Sequence, residues 1–321
     1  MWLRWCFIST FLLLQFSVFG QDLIFSQLYN NHLYLNPALT GREMHPNFGL
    51  HYRNQWPGLN YNFQTPSMQF DQRIEQFSSG FGVYFMHDFI GGNSAASTSH
   101  LALNYAYYQK LPHNFELSMG FRTALGVKQI NFDAISYGDM IDPREGLIHM
   151  IGDAFVTNRT LYPDIGAGIS LTGHGLFLGA SGNHLNRPNV SMTQSAHRLA
   201  MNFSFYGGYN IRIPFSDETD KHVLTITPHG RYHIFDLFST YTGGLYLSFI
   251  NIILAANYSE GNLYTGLLGY DFNFGRLAYS YVHSNQELTI NPGGIHEISL
   301  NWRLGVGKGT PIQRNQNLPQ Y

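Results

Sequence analysis

The stretch HRLAMNFSFYGGYNIRI, residues 197–213, alternates apolar and polar side chains over most of its length. Its apolar positions are Leu199, Met201, Phe203, Phe205, Tyr209, Ile211 and Ile213. Its polar positions are Arg198, Asn202, Ser204, Asn210 and Arg212. A strand separates these two sets onto opposite faces, whereas a helix would spread the polar side chains around its whole surface. The stretch therefore predicts a β-strand with one apolar face and one polar face.

The same period of two recurs along the chain, for example in FELSMGFRTALGV at 115–127 and EISLNWRL at 297–304. Most of the marked segments have the about 9–11 residues that a tilted strand needs to cross a bilayer. The marked segments are 47–56, 62–73, 79–88, 97–109, 114–131, 162–172, 175–183, 197–213, 221–234, 240–250, 252–259, 262–272, 275–284 and 295–304. They predict about fourteen strands. Almost no turn separates 240–250 from 252–259, so twelve strands is the alternative.

The connections between these strands alternate in length. The longest, at 89–96, 132–161, 184–196 and 285–294, all fall at the same end of the predicted strands. Outer-membrane barrels have short periplasmic turns and longer extracellular loops. We therefore predict an all-β fold, a transmembrane antiparallel β-barrel embedded in the lipid of the outer membrane. Its long loops would lie outside the cell, with the N- and C-termini in the periplasm.

The composition favours the same architecture. Charged residues make up only 12% of the 321 residues, against about 25% in soluble domains, while aromatic residues make up 16%. The mean hydropathy of −0.15 is too polar for a bundle of membrane helices, each of which needs roughly 20 consecutive apolar residues. A soluble sandwich would carry more Lys and Glu, and a propeller would show a sequence repeat. The aromatic content excludes a disordered chain, and the net charge of −2 argues against a nucleic-acid partner.

Four regions follow from these patterns. Residues 1–20 combine an early Arg4, a short apolar centre and a small final residue, which is typical of a secretory signal peptide. A membrane anchor helix is the alternative, although the apolar run is barely long enough. Residues 21–46 form a pre-barrel segment, 47–304 the barrel and 305–321 a polar tail. Cys6 is the only cysteine and lies in the predicted signal peptide, so we expect no disulfide in the mature chain.

The sequence offers no catalytic or cofactor site. His229 and His233 fall on one face of a predicted strand, but positions four apart on a strand are about 13 Å apart and cannot bind one metal ion between them. The GASG stretch at 179–182 lacks the spacing of a hydrolase nucleophile. We expect a protein with no enzymatic activity, no metal and no other cofactor.

The segment before the first strand, residues 21–46, is rich in apolar residues but lacks strand alternation. We expect it to fold into the lumen as a plug or to pack against the periplasmic rim of the barrel. The candidate plug or partner-contact residues are Phe25, Gln27, Tyr29, Asn36, Pro37, Arg53 and Trp56. Trp56, at the end of the first strand, also suits the aromatic girdle of a barrel.

Charged residues on the polar faces of the strands are candidates for the lumen wall. They form either a structural ladder across the lumen or a polar path for a solute or cargo. These candidate lumenal charges are Glu116, Arg122, Arg198, Arg212, Arg231, Glu297 and Arg303.

Several motifs follow one another along the mature chain. The opening pattern D-x-x-F-S-Q…N-P-A-x-x-G is carried by Asp22, Phe25, Ser26, Gln27, Asn36, Pro37, Ala38 and Gly41. It is followed by R-x-Q-W at 53–56, G-x-G…D-x-I-G at 80–91, P-D-x-G-x-G at 163–168 and HEISLNWRL at 296–304. In these motifs the chain resembles the PorP/SprF family of type IX secretion system membrane proteins of Bacteroidetes.

This resemblance implies an outer-membrane barrel that assists export or surface attachment of a large adhesin or other cargo with a C-terminal secretion signal. It also implies gliding motility as one setting for this role. The implied partners are the C-terminal domain of the cargo and the periplasmic components of the secretion system. A passive porin or transporter for a small or hydrophobic solute is the alternative.

Overall fold

The computed structural model describes residues 23–59, 62–91, 95–131, 141–142, 146–147, 157–215, 223–236, 238–285 and 293–305. The predicted signal peptide at 1–20 and the predicted tail beyond Gly305 lie outside the described residues. So does most of the predicted loop at 132–161, apart from residues 157–161 and a short strand pair, Ile141–Asp142 with Gly146–Leu147. Of the segments that are described, no helix has the length and apolar character needed to cross a membrane.

Fourteen antiparallel strands form one closed barrel. Each strand pairs with its neighbours in sequence, and the first strand pairs with the last. The strands are β1 (Asn47–Gln55), β2 (Phe63–Ile74), β3 (Ser79–Ile90), β4 (Ala96–Leu111), β5 (Phe115–Ile130), β6 (Arg159–Gly173), β7 (Leu176–Asn183), β8 (Asn202–Tyr209, continued by Ile211–Pro214), β9 (Val223–Phe235), β10 (Phe238–Phe249), β11 (Ile252–Ser259), β12 (Leu263–Phe272), β13 (Gly275–Ser284) and β14 (Ile295–Arg303). The twelve-strand alternative is wrong, because β10 and β11 are separate strands that pair with each other.

The two faces of the strands differ as the alternation predicts. On β2, Met68 and Phe70 are 46% and 37% exposed, whereas Gln69 and Asp71 are each only 1% exposed. The same contrast recurs around the barrel, with large apolar side chains outside and polar side chains inside. Because a barrel in lipid needs an apolar outer band and tolerates a polar interior, this arrangement suits a membrane-spanning barrel.

The two ends of the barrel carry different connections. We call the end with the connections 75–78, 112–114, 174–175, 250–251 and 273–274 the short-turn end. The opposite end, which carries 184–201, is the long-loop end. β1 begins and β14 ends at the short-turn end, so the N-terminal segment enters the barrel wall there.

The strand predicted at 197–213 starts later than its alternation suggests. It begins at Asn202, which lies opposite Phe235, the last residue of β9. The residues before Asn202 bond within their own loop instead: the N–H of Val190 donates to the carbonyl of His197 at 2.8 Å. The apolar–polar alternation of the sequence therefore begins several residues before the strand pairing does.

Two predicted lumenal charges lie off the buried polar face, one because of this late start and one because of an interruption of β8. Arg198 lies in that loop, in an isolated bridge with Asn189, and is exposed. β8 is also interrupted at Asn210, whose N–H donates to the carbonyl of Gly175 at 2.8 Å. Arg212 follows this interruption in the stretch Ile211–Pro214, where all four residues are exposed. Neither arginine lies on the buried polar face where the pattern puts it.

Candidate functional site

The N-terminal segment, residues 23–46, lies against the inward faces of strands on all sides of the barrel. Its regular structure is a single-turn helix, α1 (His32–Leu35), and a 3₁₀ turn, Pro37–Leu39. Asn36 separates the two and caps the turn, because its side chain accepts a hydrogen bond from the N–H of Ala38 at 2.8 Å. Proline at the first position of the turn suits its fixed φ and missing N–H.

Apolar side chains of the segment are buried in two clusters. Phe25 packs with Leu33 and Tyr84 in one cluster, and its ring meets that of Tyr34 edge-on at 5.2 Å between centroids. In the other, Tyr29 is central. Its ring lies edge-on to three rings of the barrel wall, at centroid distances of 5.7, 6.2 and 6.0 Å, and these belong to Phe177, Tyr206 and Tyr246. Edge-on aromatic pairs add to the stabilisation that burial alone supplies.

Near the long-loop end, Glu297 on β14 holds the start of the segment. Its carboxylate accepts hydrogen bonds from the backbone N–H groups of Ser26 and Gln27, at 2.8 and 3.0 Å. The Nε of Arg53 lies 3.2 Å from the same carboxylate. Gln27 also donates through its side chain to Ser280 and to the carbonyl of Glu297. Glu297 therefore contacts two other candidate residues from different parts of the sequence, Gln27 and Arg53.

Across the lumen, Arg122 on β5 holds the middle of the segment. Its guanidinium donates to the carbonyls of Leu33 and Tyr34, and also to the side chains of Asn104 and Asn183 at 2.9 and 2.8 Å. An arginine suits this position because its planar fork can donate several hydrogen bonds in fixed directions.

Asn36 makes a second set of contacts with the wall beside Arg122. Its amide donates to the carbonyls of Ile169 and Ala180 at 3.1 and 3.2 Å and to the hydroxyl of Tyr206 at 3.0 Å. One side chain therefore bonds to three neighbouring strands while it caps the turn of Pro37.

Two glycines let the segment approach the wall closely. A Cβ at Gly120 would overlap the backbone of Pro37 and Ala38, and a Cβ at Gly80 would overlap the carbonyl of Thr40. Any other residue at either position would push the segment away from the wall.

Near the short-turn end, Asp71 on β2 holds the end of the segment. Its carboxylate lies 3.1 Å from Nε2 of His32 and accepts a hydrogen bond from the N–H of Gly41 at 2.7 Å. The hydroxyl of Tyr108 donates to the carbonyl of Thr40. The backbone of the segment is thus held from two sides just before it enters β1.

Glu43 joins the segment to the last strand. Its carboxylate lies 3.1 Å from Nε of Arg303, and Nη1 of the same arginine lies 3.0 Å from the carboxylate of Asp271. Burial by itself raises the pKa of Glu43, but the positive charges of Arg303, Arg42 and Arg276 outweigh it and lower the pKa. The carboxylate is therefore held ionised at neutral pH.

The remaining candidate residues lie apart from these contacts. Glu116 pairs with Arg73 at 2.7 Å near the short-turn end. Arg231 is buried on β9, where it donates to the hydroxyl of Ser204 at 3.2 Å. Trp56 follows β1 at the long-loop end, half-buried, with its ring 5.6 Å from that of Phe63. The structure brings Trp56 into no contact with the N-terminal segment among those it describes.

Some residues of this site were not among the candidates, notably His32 and Glu43. Both lie in the N-terminal segment. Its sequence has no regular apolar–polar repeat from which their partners on the barrel wall could be predicted. Asp71 falls on the polar face of a predicted strand, and that placement is the one signal the sequence gives for it. No group of three or more His, Cys, Asp or Glu residues in the described ranges is arranged to hold a metal ion.

Comparison with known proteins identifies the family. The family model of the type IX secretion system membrane protein PorP/SprF matches residues 17–302. The chain belongs to the PorP/SprF family. The match includes the N-terminal segment and thirteen strands in full, and it ends within β14. A PorP/SprF protein with this fold is an outer-membrane β-barrel and a membrane component of the type IX secretion system.

Solved structures similar to this PorP/SprF chain are other membrane barrels at low identity. The outer membrane protein Omp33 of Acinetobacter baumannii has a TM-score of 0.40 and 10% identity, over 81% of this chain and 99% of that one. A Pseudomonas aeruginosa FadL homologue has a TM-score of 0.46 and 13% identity, over 85% of this chain and 93% of that one. A deletion mutant of the monoaromatic hydrocarbon channel TodX has a TM-score of 0.43 and 11% identity, over 85% of this chain and 92% of that one. No curated protein matches the sequence.

Proposed function

We propose that this PorP/SprF protein assists the export or surface attachment of type IX cargo, a large adhesin or another protein with a C-terminal secretion signal. Gliding motility is one setting in which we expect this role. The observation that carries the proposal is the family match over residues 17–302, which includes the N-terminal segment as well as the barrel. We expect the cargo's C-terminal domain and periplasmic components of the apparatus to be its partners.

We propose further that the N-terminal segment closes the lumen. Its contacts run from Glu297 near the long-loop end, through Arg122, to Asp71 and Arg303 near the short-turn end. A path for solutes would have to pass a segment bonded to opposite walls along this length. These contacts favour a role at the membrane that needs no open pore, and they disfavour a passive porin or transporter.

For orientation, we propose that the long-loop end faces outward, since outer-membrane barrels have their longer loops outside. β1 would then begin, and β14 would end, on the periplasmic side. Leu23, the first described residue, lines a pocket with Asn183 and Asn202 at the long-loop end. In this orientation Leu23 would lie toward the outer end of the lumen, and the periplasmic location of the N- and C-termini stays a prediction.

Purification of a C-terminally tagged chain from its native outer membrane tests the proposal. We expect mass spectrometry of the eluate to identify a protein with a C-terminal secretion domain together with periplasmic components of the type IX system. A matched preparation of an unrelated outer-membrane barrel with the same tag is the control. A barrel that purifies alone and conducts ions in planar bilayers would contradict the proposal and support the porin alternative.

A further inference from the structure

The junction between β1 and β14 differs from the other junctions of the barrel wall. Neighbouring strands elsewhere in the barrel are consecutive in the chain, so a connection joins each pair at one end. β1 and β14 are the first and last strands, and backbone pairing along the full length of both joins them. If this pairing breaks, the chain that links the two strands is the whole of the remaining barrel, so loop-closure entropy opposes their return.

One residue of the N-terminal segment spans this junction on the lumenal side. The side-chain amide of Asn30 donates a hydrogen bond to the hydroxyl of Ser299 on β14 at 3.1 Å. The backbone carbonyl of Asn30 accepts a hydrogen bond from the side chain of Gln69 on β2 at 2.8 Å. Because β1 lies between β2 and β14, Asn30 bonds to the strands on both sides of β1.

A glycine of β1 leaves room for this bridge. Gly49 lies opposite Gln69 on one side and opposite Asn301 on the other. The amide of Gln69 donates to Oδ1 of Asn301 at 3.2 Å and so connects β2 with β14 over Gly49. A Cβ at Gly49 would lie 2.6 Å from that oxygen and 2.8 Å from the amide nitrogen of Gln69. Any residue with a Cβ would therefore force the two side chains apart.

Gln27 adds to the hold of the segment on the last two strands. Its side chain donates to the hydroxyl of Ser280 on β13 at 3.1 Å and accepts from the hydroxyl of Ser299 at 2.5 Å. Only residues 31–46 separate Asn30 from the start of β1. The segment is thus a short tether between β1 and the last strands, and a tether of this kind raises the effective concentration of the strands for pairing.

We propose that the N-terminal segment clasps the β1–β14 junction, and that loss of this clasp opens the wall there in preference to the other junctions. Opening at this point connects the lumen with the surrounding lipid. The inference goes beyond the proposed closure of the lumen, because the same segment also controls an opening in the wall. It does not depend on the identity of the cargo.

Amide hydrogen exchange of the purified protein in detergent micelles, followed by mass spectrometry, tests the clasp. In Gly49→Ala, the amides of β1 and β14 should exchange roughly 10-fold faster than in the wild type, which corresponds to about 1.4 kcal/mol. The amides of β9 and β10, across the barrel, should keep the wild-type rate. Gly243→Ala is the matched control and should change neither set, because its Cβ would have no other atom closer than 4.0 Å.

A second variant tests the clasp without altering the wall. Gln27→Ala combined with Asn30→Ala removes side-chain hydrogen bonds from the segment to β13 and β14. It should accelerate exchange in β1 and β14 selectively, as Gly49→Ala does. Equal acceleration in β9 and β10, or no acceleration in β1 and β14, would overturn the proposal.

A disulfide across the junction separates opening of the wall from loosening of the segment alone. Leu50 on β1 lies directly opposite Leu300 on β14, and the Cα atoms of such a pair are within disulfide distance. In the double alanine variant, Leu50→Cys with Leu300→Cys should return the exchange of β1 and β14 to the wild-type rate when oxidised. The corresponding pair on β12 and β13, Leu268→Cys with Tyr279→Cys, should not.

Fast exchange that persists in the oxidised β1–β14 pair would overturn the proposal. Exchange of these amides reports on the wall, whereas conductance reports on the lumen. Failure of the clasp and failure of the proposed lumen closure are therefore distinguishable.

Discussion

Replacing Glu297 by glutamine should release the N-terminal segment from the long-loop end of the lumen. The carboxylate of Glu297 accepts hydrogen bonds from the N–H groups of Ser26 and Gln27 at 2.8 and 3.0 Å and faces Arg53 at 3.2 Å. Glutamine keeps one acceptor oxygen and no charge, so at least one hydrogen bond to a charged group is lost. Such a bond contributes about 1.5–3 kcal/mol. Since about 1.4 kcal/mol is a factor of ten, the undocked fraction should rise roughly 10- to 100-fold.

Cysteine labelling measures this release directly. The only cysteine of the sequence is Cys6, in the predicted signal peptide, so a cysteine introduced in place of Leu28 would be a single reporter. Leu28 is buried in the segment, next to Gln27. The labelling rate with a membrane-impermeant maleimide should increase by the same roughly 10- to 100-fold in the Glu297→Gln background, because opening limits access to a buried thiol.

The control and the refuting result are both defined by the structure. Glu260→Gln removes an exposed carboxylate at the turn between β11 and β12 and should leave the labelling rate unchanged. If Glu297→Gln labels no faster than Glu260→Gln, the carboxylate does not hold the segment, and the reasoning from these hydrogen bonds is refuted.

Three other predictions address the rest of the lumen and the loops. Gly120→Ala should undock the turn at Pro37 and raise labelling of a cysteine placed there in the segment, whereas Gly266→Ala, whose Cβ would meet nothing within 4 Å, should not. Because the pKa of Glu43 lies below its usual 4.5, its ionised carboxylate stabilises the fold fully above that value, and this stabilisation is lost as the pH falls through the lowered pKa. Glu43→Gln should therefore flatten the fall of the unfolding midpoint below pH 4.5. Replacing residues 132–161 by a short turn should abolish surface display of cargo while the barrel stays heat-modifiable, and intact display would remove this loop from the mechanism.

The barrel could be predicted from the sequence because its signal is local. On β5, apolar Phe121 and Leu125 are exposed and Arg122 is buried, as a period of two requires. The long connections all lie at one end, which is typical of an up-and-down barrel. In such a barrel neighbouring strands are neighbours in sequence, so the pairing order could be predicted too. β8 shows the limit of this reasoning, because alternation alone reveals neither the absence of a partner before Asn202 nor the interruption at Asn210.

The partners of the N-terminal segment could not be predicted in the same way. Ser26 and Glu297 are 271 residues apart in sequence, and Leu33 and Arg122 are 89 apart. The segment has no periodicity, so no register relates its side chains to the wall. Composition required its apolar residues to be buried, which narrowed the possibilities to the lumen or the rim, but the hydrogen bonds that hold it depend on the closed barrel.

Single-channel recording in planar bilayers tests most directly the claim that this barrel is closed by its own N-terminal segment. The full mature chain should show no steady conductance, and a variant lacking residues 22–45 should show stable open steps at the same protein-to-lipid ratio. Heat-modifiability of both proteins would confirm that each barrel is folded. Equal conductance of the two proteins would contradict the account.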